Sequence, residues 1–577
     1  MFKSTTGHLS QPKLWIIPAQ QDEKKAMWPC DFQPASSRVW STPELARLIV
    51  SNLQVRGVVR NADNTFDQDY ALRRNRSALA SLAQVNMLIS EVALSVLYTR
   101  LGDGSSDRWA PTLINLLSML GTLKKSGKFS WNFERPLELS GWSRFLRYAR
   151  FVKTICLSPG YAMYNPDEVE KLVHGIVPEA FLAMHTARPD ATPIFPSLRY
   201  FYAGYGARVD PSNPFYDFVL QSQLVHLQVV SVASVSNLLS YADRSSNTLQ
   251  TLHFNETSYN LQSRHHHELL ATIDRLTYLT DIRIPSAFVP TVFHTLSSKP
   301  NLQRLGITQF RGEAHDERYH IVFPKDGFAD LESFTLLDFA PRPHDHLTIA
   351  SAHYQLRTLH LELAKIELDD YCDYFFKNQS WLPEHGEAPA FDIFEPLLTL
   401  SNIRDFGFHT DIPFSLSDEE IDDITQAWPH LENFSFCKDA VYTDIEGPEL
   451  TPSGLISFAE HCPCLRTLTL AINAEIEPEH DPTETPSFND HFSCLDLAFS
   501  PIRDFSEELA LCLASLLPDG AVLKYDEDEG GRERKNCPRG EDWERMCYVV
   551  TSIMQERAAG SEDTLQVWER VMDERNG

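Results

Sequence analysis

The chain has 577 residues, 43% of them hydrophobic, and a formal net charge of −28. That apolar share supports a real core, and the length leaves room for several domains or one long array of repeats. The acidic excess weighs against a general nucleic-acid binder, which needs a basic face for phosphates, and against an anionic membrane surface as the main partner.

Residues 1–37 have little periodicity and read as a mobile arm. A helix is expected to start sharply at Ser41-Thr42-Pro43-Glu44, with a hydroxyl cap, a Pro in the first turn and a carboxylate three residues after Ser41. Leu45, Leu48, Ile49 and Leu53 follow on one face. Residues 54–76 are a polar insertion, and Ser77 to Leu101 predicts two or three more helices. Together 38–101 forms a small helical unit with more apolar surface than short helices bury among themselves, as expected of an N-terminal cap on a repeat array.

The pattern Thr42-Pro43-Glu44-Leu45, Leu48-Ile49, Leu53, then Leu79, Leu82, Val85-Asn86, then Leu97-Tyr98 and Leu101 resembles an F-box. More narrowly, residues 38–525 resemble fungal F-box proteins with degenerate leucine-rich repeats, in which an insertion often splits the box as 54–76 does here. The stretch Trp142 to Arg150 resembles that family's passage from box to repeats. Thr42 stands where members usually have Leu, and Ile89 is the nearest match to a common Trp or Phe. The resemblance implies docking on a Skp-type adaptor, linked to a cullin scaffold, through Pro43, Glu44, Leu45, Leu48, Ile49, Leu53, Leu82, Val85 and Leu97. It implies a substrate-recognition subunit of an SCF-type ubiquitin ligase, the repeats holding a protein substrate.

Residues 102–150 read as a helical linker, with an amphipathic helix from Pro111 to Leu120. From 151 to 525 one grammar recurs: apolar, two free positions, apolar, one free position, apolar. Its twelve first positions are Val152, Leu198, Leu224, Leu249, Leu279, Leu302, Leu331, Leu356, Ile403, Leu431, Leu465 and Phe492. Spacings of 23 to 34 residues, with two of 46 and 47, lie near the leucine-rich range. Each long gap is one unit with an insertion, or two units of which one is unreadable. Helical patterns fall between, at Phe215–Leu220, His266–Leu276, Ser417–Trp428, Pro452–His461 and Ser506–Leu517. The expected fold is α/β: a solenoid with parallel strands on a concave side and helices on the convex side. An ordinary α/β domain is the alternative. Strict repeats place Asn or Cys at the ninth position, and only Asn473 complies; residues such as Ala287 and Ser500 do not, so the turns must be held otherwise. Residues 526–577 read as an acidic loop and capping helices, carrying Trp543, Met546, Val549, Ile553, Leu565, Trp568 and Val571.

The free positions around the middle apolar residue should face the concave side. Tyr200, Tyr202, His226, Gln228, His253, Asp281, Arg283 and His360 are the candidate substrate contacts, an aromatic and polar set suited to protein recognition. No motif for phosphate, dinucleotide, nucleophilic or redox chemistry is present, so no catalysis, cofactor or metal is expected. His265-His266-His267-Glu268 lacks the i, i+4 pair of a zinc helix and reads as a solvated helix start. Cys462-Pro463-Cys464 reads as packing. Ten scattered cysteines without C-x-x-C, no secretory signal pattern and no long apolar run suggest cytoplasm or nucleus. The alternative function is a non-enzymatic repeat scaffold whose N-terminal helices serve only as a cap; an enzyme of unrecognised type is the third.

Overall fold

The computed structural model describes residues 78–84, 87–102, 112–126, 131–157, 176–189, 193–203, 214–220, 223–229, 235–254, 263–308, 327–339, 356–363, 391, 394–409, 416–438, 448–478, 486–498, 500–502, 505–525 and 540–559. The chain forms two compact units. The first is residues 1–260 with 275–278, and the second is 261–274 with 279–577.

In the first unit, helix α1 (Met87–Leu97) is followed by strand β1 (Arg100–Leu101), helix α2 (Leu113–Leu117), strands β2 (Leu123–Lys125) and β3 (Trp131–Phe133), and helix α3 (Leu139–Ala149). Then come β4 (Thr154–Leu157), α4 (Pro178–Ala187), β5 (Tyr200–Ala203), α5 (Pro214–Val219), β6 (His226–Val229), α6 (Val235–Arg244) and β7 (Thr251–Phe254). Strands β1, β4, β5, β6 and β7 pair in that order, all parallel. Strands β2 and β3 form a separate antiparallel hairpin.

The second unit holds α7 (Ser263–Arg275), nearly all of it, then β8 (Asp281–Pro285), α8 (Val289–Ser297), β9 (Arg304–Thr308), β10 (Ser333–Phe339), β11 (Thr358–Leu363) and β12 (Asp405–His409). It continues with α9 (Asp418–Ala427), β13 (Asn433–Phe436), α10 (Gly454–His461), β14 (Thr467–Thr469), β15 (Cys494–Asp496), α11 (Glu507–Leu516), β16 (Val522–Lys524) and α12 (Gly540–Ala558). Strands β8 to β16 also pair parallel in chain order.

The apolar grammar explains this order. In all twelve repeats the strand begins two residues after the first apolar position. All three apolar side chains are buried in every repeat. Period two puts the second and third on one face, so that face is sealed and the other stays open. Where strands pair, grammar position meets grammar position: Tyr200 lies opposite His226, and Asn433 opposite Thr467. The long gaps are insertions within single units, because β4 pairs directly with β5 and β11 with β12.

The backbone holds the turns by a device that does not depend on side-chain identity. The carbonyl ahead of most strands accepts two N–H groups from the next repeat. Lys153 O receives Arg199 N at 2.9 Å and Tyr200 N at 3.0 Å, and Arg404 O receives Glu432 N at 2.7 Å and Asn433 N at 2.9 Å. Side chains add to this locally. Ser500, at the ninth position, accepts from Ile472 N of the preceding repeat at 2.8 Å. A hydroxyl thus performs the bonding that Asn supplies in strict repeats.

Three expectations need correction. Residues up to Leu101 are not all helical: α1 ends at Leu97, and Arg100–Leu101 joins the sheet beside Thr154 and Ile155. The linker is not purely helical, since it contains the β2–β3 hairpin. The three histidines are not a solvated start: His265 is buried, His266 is half-buried against Phe288 with its Nδ1 2.9 Å from Thr291 Oγ1, and His267 is exposed.

Candidate functional site

The open sheet face of the first unit gathers the aromatic candidates. Because paired strands share register, Tyr200 and His226 are neighbours in one row, and Tyr202, Gln228 and His253 in the next. The Tyr202 and His226 rings lie 4.5 Å apart, with Tyr200 at 6.3 Å and His253 at 5.7 Å from His226. Tyr200 is exposed and the others are half-buried. Burial, then Cys156, pushes the Tyr202 hydroxyl above its usual range, with Arg100 pulling the other way and Tyr200 adding to the rise. The shift favours the protonated phenol, which has an O–H to offer.

The second unit's open face is a set of side-chain ladders. Asp281 is buried, and its carboxylate takes Arg304 Nε at 2.8 Å, so it is engaged within the sheet. Arg283 is half-buried with its stem over Gly306, where an added Cβ would stand 2.9 Å from Arg283 Nε. His360 lies over Gly407 in the same way. Burial pulls the His360 imidazole below its usual range, with Asp405 opposing. In the row beside it Thr358 donates to Asp405 at 3.3 Å, Asn433 donates to Asp405, and Thr467 donates to Asn433 at 2.7 Å. Sequence reasoning passed over Arg304, Gly306, Asp405, Gly407 and Thr467. Each occupies the same grammar position as a named candidate, so aligning the repeats in columns finds them.

Of the adaptor candidates, Pro43, Glu44, Leu45, Leu48, Ile49, Leu53 and Val85 lie outside the described residues. Leu82 and Leu97 are half-buried, while Ile89, Ala93 and Leu94 of α1 are fully buried.

Cys462 is buried with Sγ 3.7 Å from Trp428 O, and burial together with Cys464 pushes its thiol up to about 12. Cys464 is exposed. Among the described residues no three His, Cys, Asp or Glu side chains gather as a metal site. No helix among them is long and apolar enough to cross a membrane. No protein-family model matches this chain, nor does any curated protein.

Proposed function

We propose that this chain is the substrate-recognition subunit of an SCF-type ubiquitin ligase, built as an F-box-like unit followed by degenerate leucine-rich repeats. Residues 38–101 dock on a Skp-type adaptor joined to a cullin scaffold, and the sheet face binds a protein substrate. The rate gain is proximity: the receptor holds substrate lysines near a charged carrier enzyme and does no acid–base work itself. Support for the adaptor half comes from the sequence resemblance of residues 42–101. The observation that carries the substrate half is the open face of in-register rows, with the rings of Tyr200, Tyr202 and His253 each against His226. Aromatic groups of this kind dominate the energy of protein interfaces.

A second reading, a repeat scaffold with a helical cap, is favoured by the attachment of α1. Its Glu91 pairs with Arg150 of the segment after α3 at 2.6 Å, and Tyr98 packs on Tyr148 at 5.1 Å. One experiment separates them. Leu48→Asp with Ile49→Asp is tested for capture of a Skp-type adaptor and for thermal unfolding. A docking face gives a folded variant that loses the adaptor. A cap gives a variant that unfolds, and wild type that captures no adaptor.

A further inference from the structure

The sheet face of the first unit opposes the character of the whole chain, whose net charge is −28. From the residue ahead of each strand to the strand's last position, β1 and β4 to β7 carry Arg100, Lys153, Arg199, His226 and His253 and not one Asp or Glu. Arg100 and Lys153 are exposed. Among the described residues none of the three cations is held by a carboxylate, and Arg199 uses its Nη1 on the carbonyls of Leu198 and Gln223 at 3.1 and 3.2 Å. Most corresponding positions of the second unit differ, Arg283 being the exception, with no carboxylate partner among the described residues. There Arg304 meets Asp281, Arg404 and Arg466 both meet Glu432, and Arg357 meets Glu332. Those arginines are neutralised where they stand.

The first unit's face, with Arg100 on it and Lys153 and Arg199 at its border just ahead of β4 and β5, is thus rich in donors and in positive charge. Its phenols and guanidinium groups offer O–H and N–H, and its rings offer flat apolar area. The complementary surface is carboxylate-bearing, since charge-assisted hydrogen bonds from Arg and Lys are about twice as strong as neutral ones. The rows also match an extended chain in size: about six residues span the roughly 20 Å across five strands.

We propose that strands β1 and β4 to β7 bind an acidic, extended segment of a protein partner, laid across Tyr202 and His226 with its carboxylates toward Arg100, Lys153 and Arg199. This rests on the substrate half of the proposed function and is independent of the adaptor half. It names the substrate class: a protein displaying an Asp/Glu-rich strand.

The test uses the full-length protein and fluorescence anisotropy with labelled peptides of about eight residues, alternating Glu with Tyr, beside Lys and Gln counterparts and single-stranded DNA of equal length. The Glu peptide is expected to bind at least roughly tenfold tighter than either counterpart, and to weaken as salt rises from about 0.05 to 0.3 M. Arg100→Glu, Lys153→Glu and Arg199→Glu together should weaken it by a further tenfold or more, roughly, whereas Lys438→Glu in the second unit should not. If the triple reversal unfolds, the Gln triple at the same positions decides, with a smaller loss in the same direction. Absence of saturable Glu-peptide binding overturns the proposal. So does equal binding of the Lys peptide, tighter binding of DNA, or a folded triple variant with unchanged affinity. Adaptor capture is scored separately. Acidic-peptide binding without adaptor capture sinks only the ligase reading, and adaptor capture without acidic-peptide binding sinks only this one.

Discussion

The His360 imidazole occupies the space that a side chain at Gly407 would fill: a Cβ there would stand 3.0 Å from His360 Cε1 and 3.1 Å from His409 Nε2. Glycine at 407 is required by this close approach. Gly407→Ala should therefore displace His360 and cost about 1–3 kcal/mol by overpacking. Adding His360→Ala should recover much of that loss, so a double-mutant cycle in urea should show strong coupling. Additive effects would mean that the two residues do not compete for this space.

Acid should weaken the second unit through the same imidazole. His360 and His266 both have folded pKa values pulled below the ordinary 6.5, first by burial, and in His266 also by the neighbouring His265 and His267. Above pH 6.5 both states are neutral and the full stability is present. As pH falls from 6.5 toward the lowered folded value, the unfolded chain takes up protons first, and stability is lost. Denaturant midpoints should drop between about pH 7.5 and 5.5, and His360→Gln with His266→Gln should flatten that slope. An identical slope in the double variant would exclude these two groups as its source.

Helix α12 closes the second unit. Trp543 is 1% exposed, and its indole N–H donates to Ser500 O at 2.9 Å. Arg557 reaches Asp519 Oδ1 and Ala514 O, each at 2.8 Å. Trp543→Ala should cost about 3–5 kcal/mol. Deletion of 526–577 should leave β16 uncovered and give aggregated protein in size-exclusion chromatography, since an open repeat end needs a cover. A monomeric truncation would remove the capping role.

The start of α9 carries two separable contributions. Ser417 and Glu420 form a capping box, and Asp418 accepts from Thr451 N at 2.9 Å and Thr451 Oγ1 at 2.6 Å, tying α9 to the segment before α10. Ser417→Ala should cost about 1 kcal/mol. Asp418→Ala should cost more, about 1–3 kcal/mol, because it strands a half-buried N–H in the next repeat. Chemical denaturation gives both numbers.

The strands were readable because their signal has three anchors at fixed spacing and because tertiary packing uses all three. Where one anchor was missing the reading failed. Tyr98 and Leu101 fit the first two positions of the grammar, but Asp103 breaks the third, so β1 passed as helix. The β2–β3 hairpin escaped because Leu123-Lys124-Lys125 and Trp131-Asn132-Phe133 are too short to show alternation. In α8, Pro290 stands in the first turn, where a missing N–H costs nothing. On the site, the rings of Tyr200, Tyr202 and His253 gather on His226, because the free positions of neighbouring strands share a face. Asp281 did not remain available, because its partner Arg304 belongs to the next repeat and each repeat had been read alone.

Shared register has a consequence for how a bound chain could be measured out. Successive columns on such a face repeat at about 4.8 Å, whereas same-side side chains of an extended peptide repeat at about 6.7 Å. Two rulers so mismatched fall out of step within two or three marks. A strand crossing these columns therefore meets them only at isolated coincidences, which favours a few fixed anchors over a repeating letter-by-letter code.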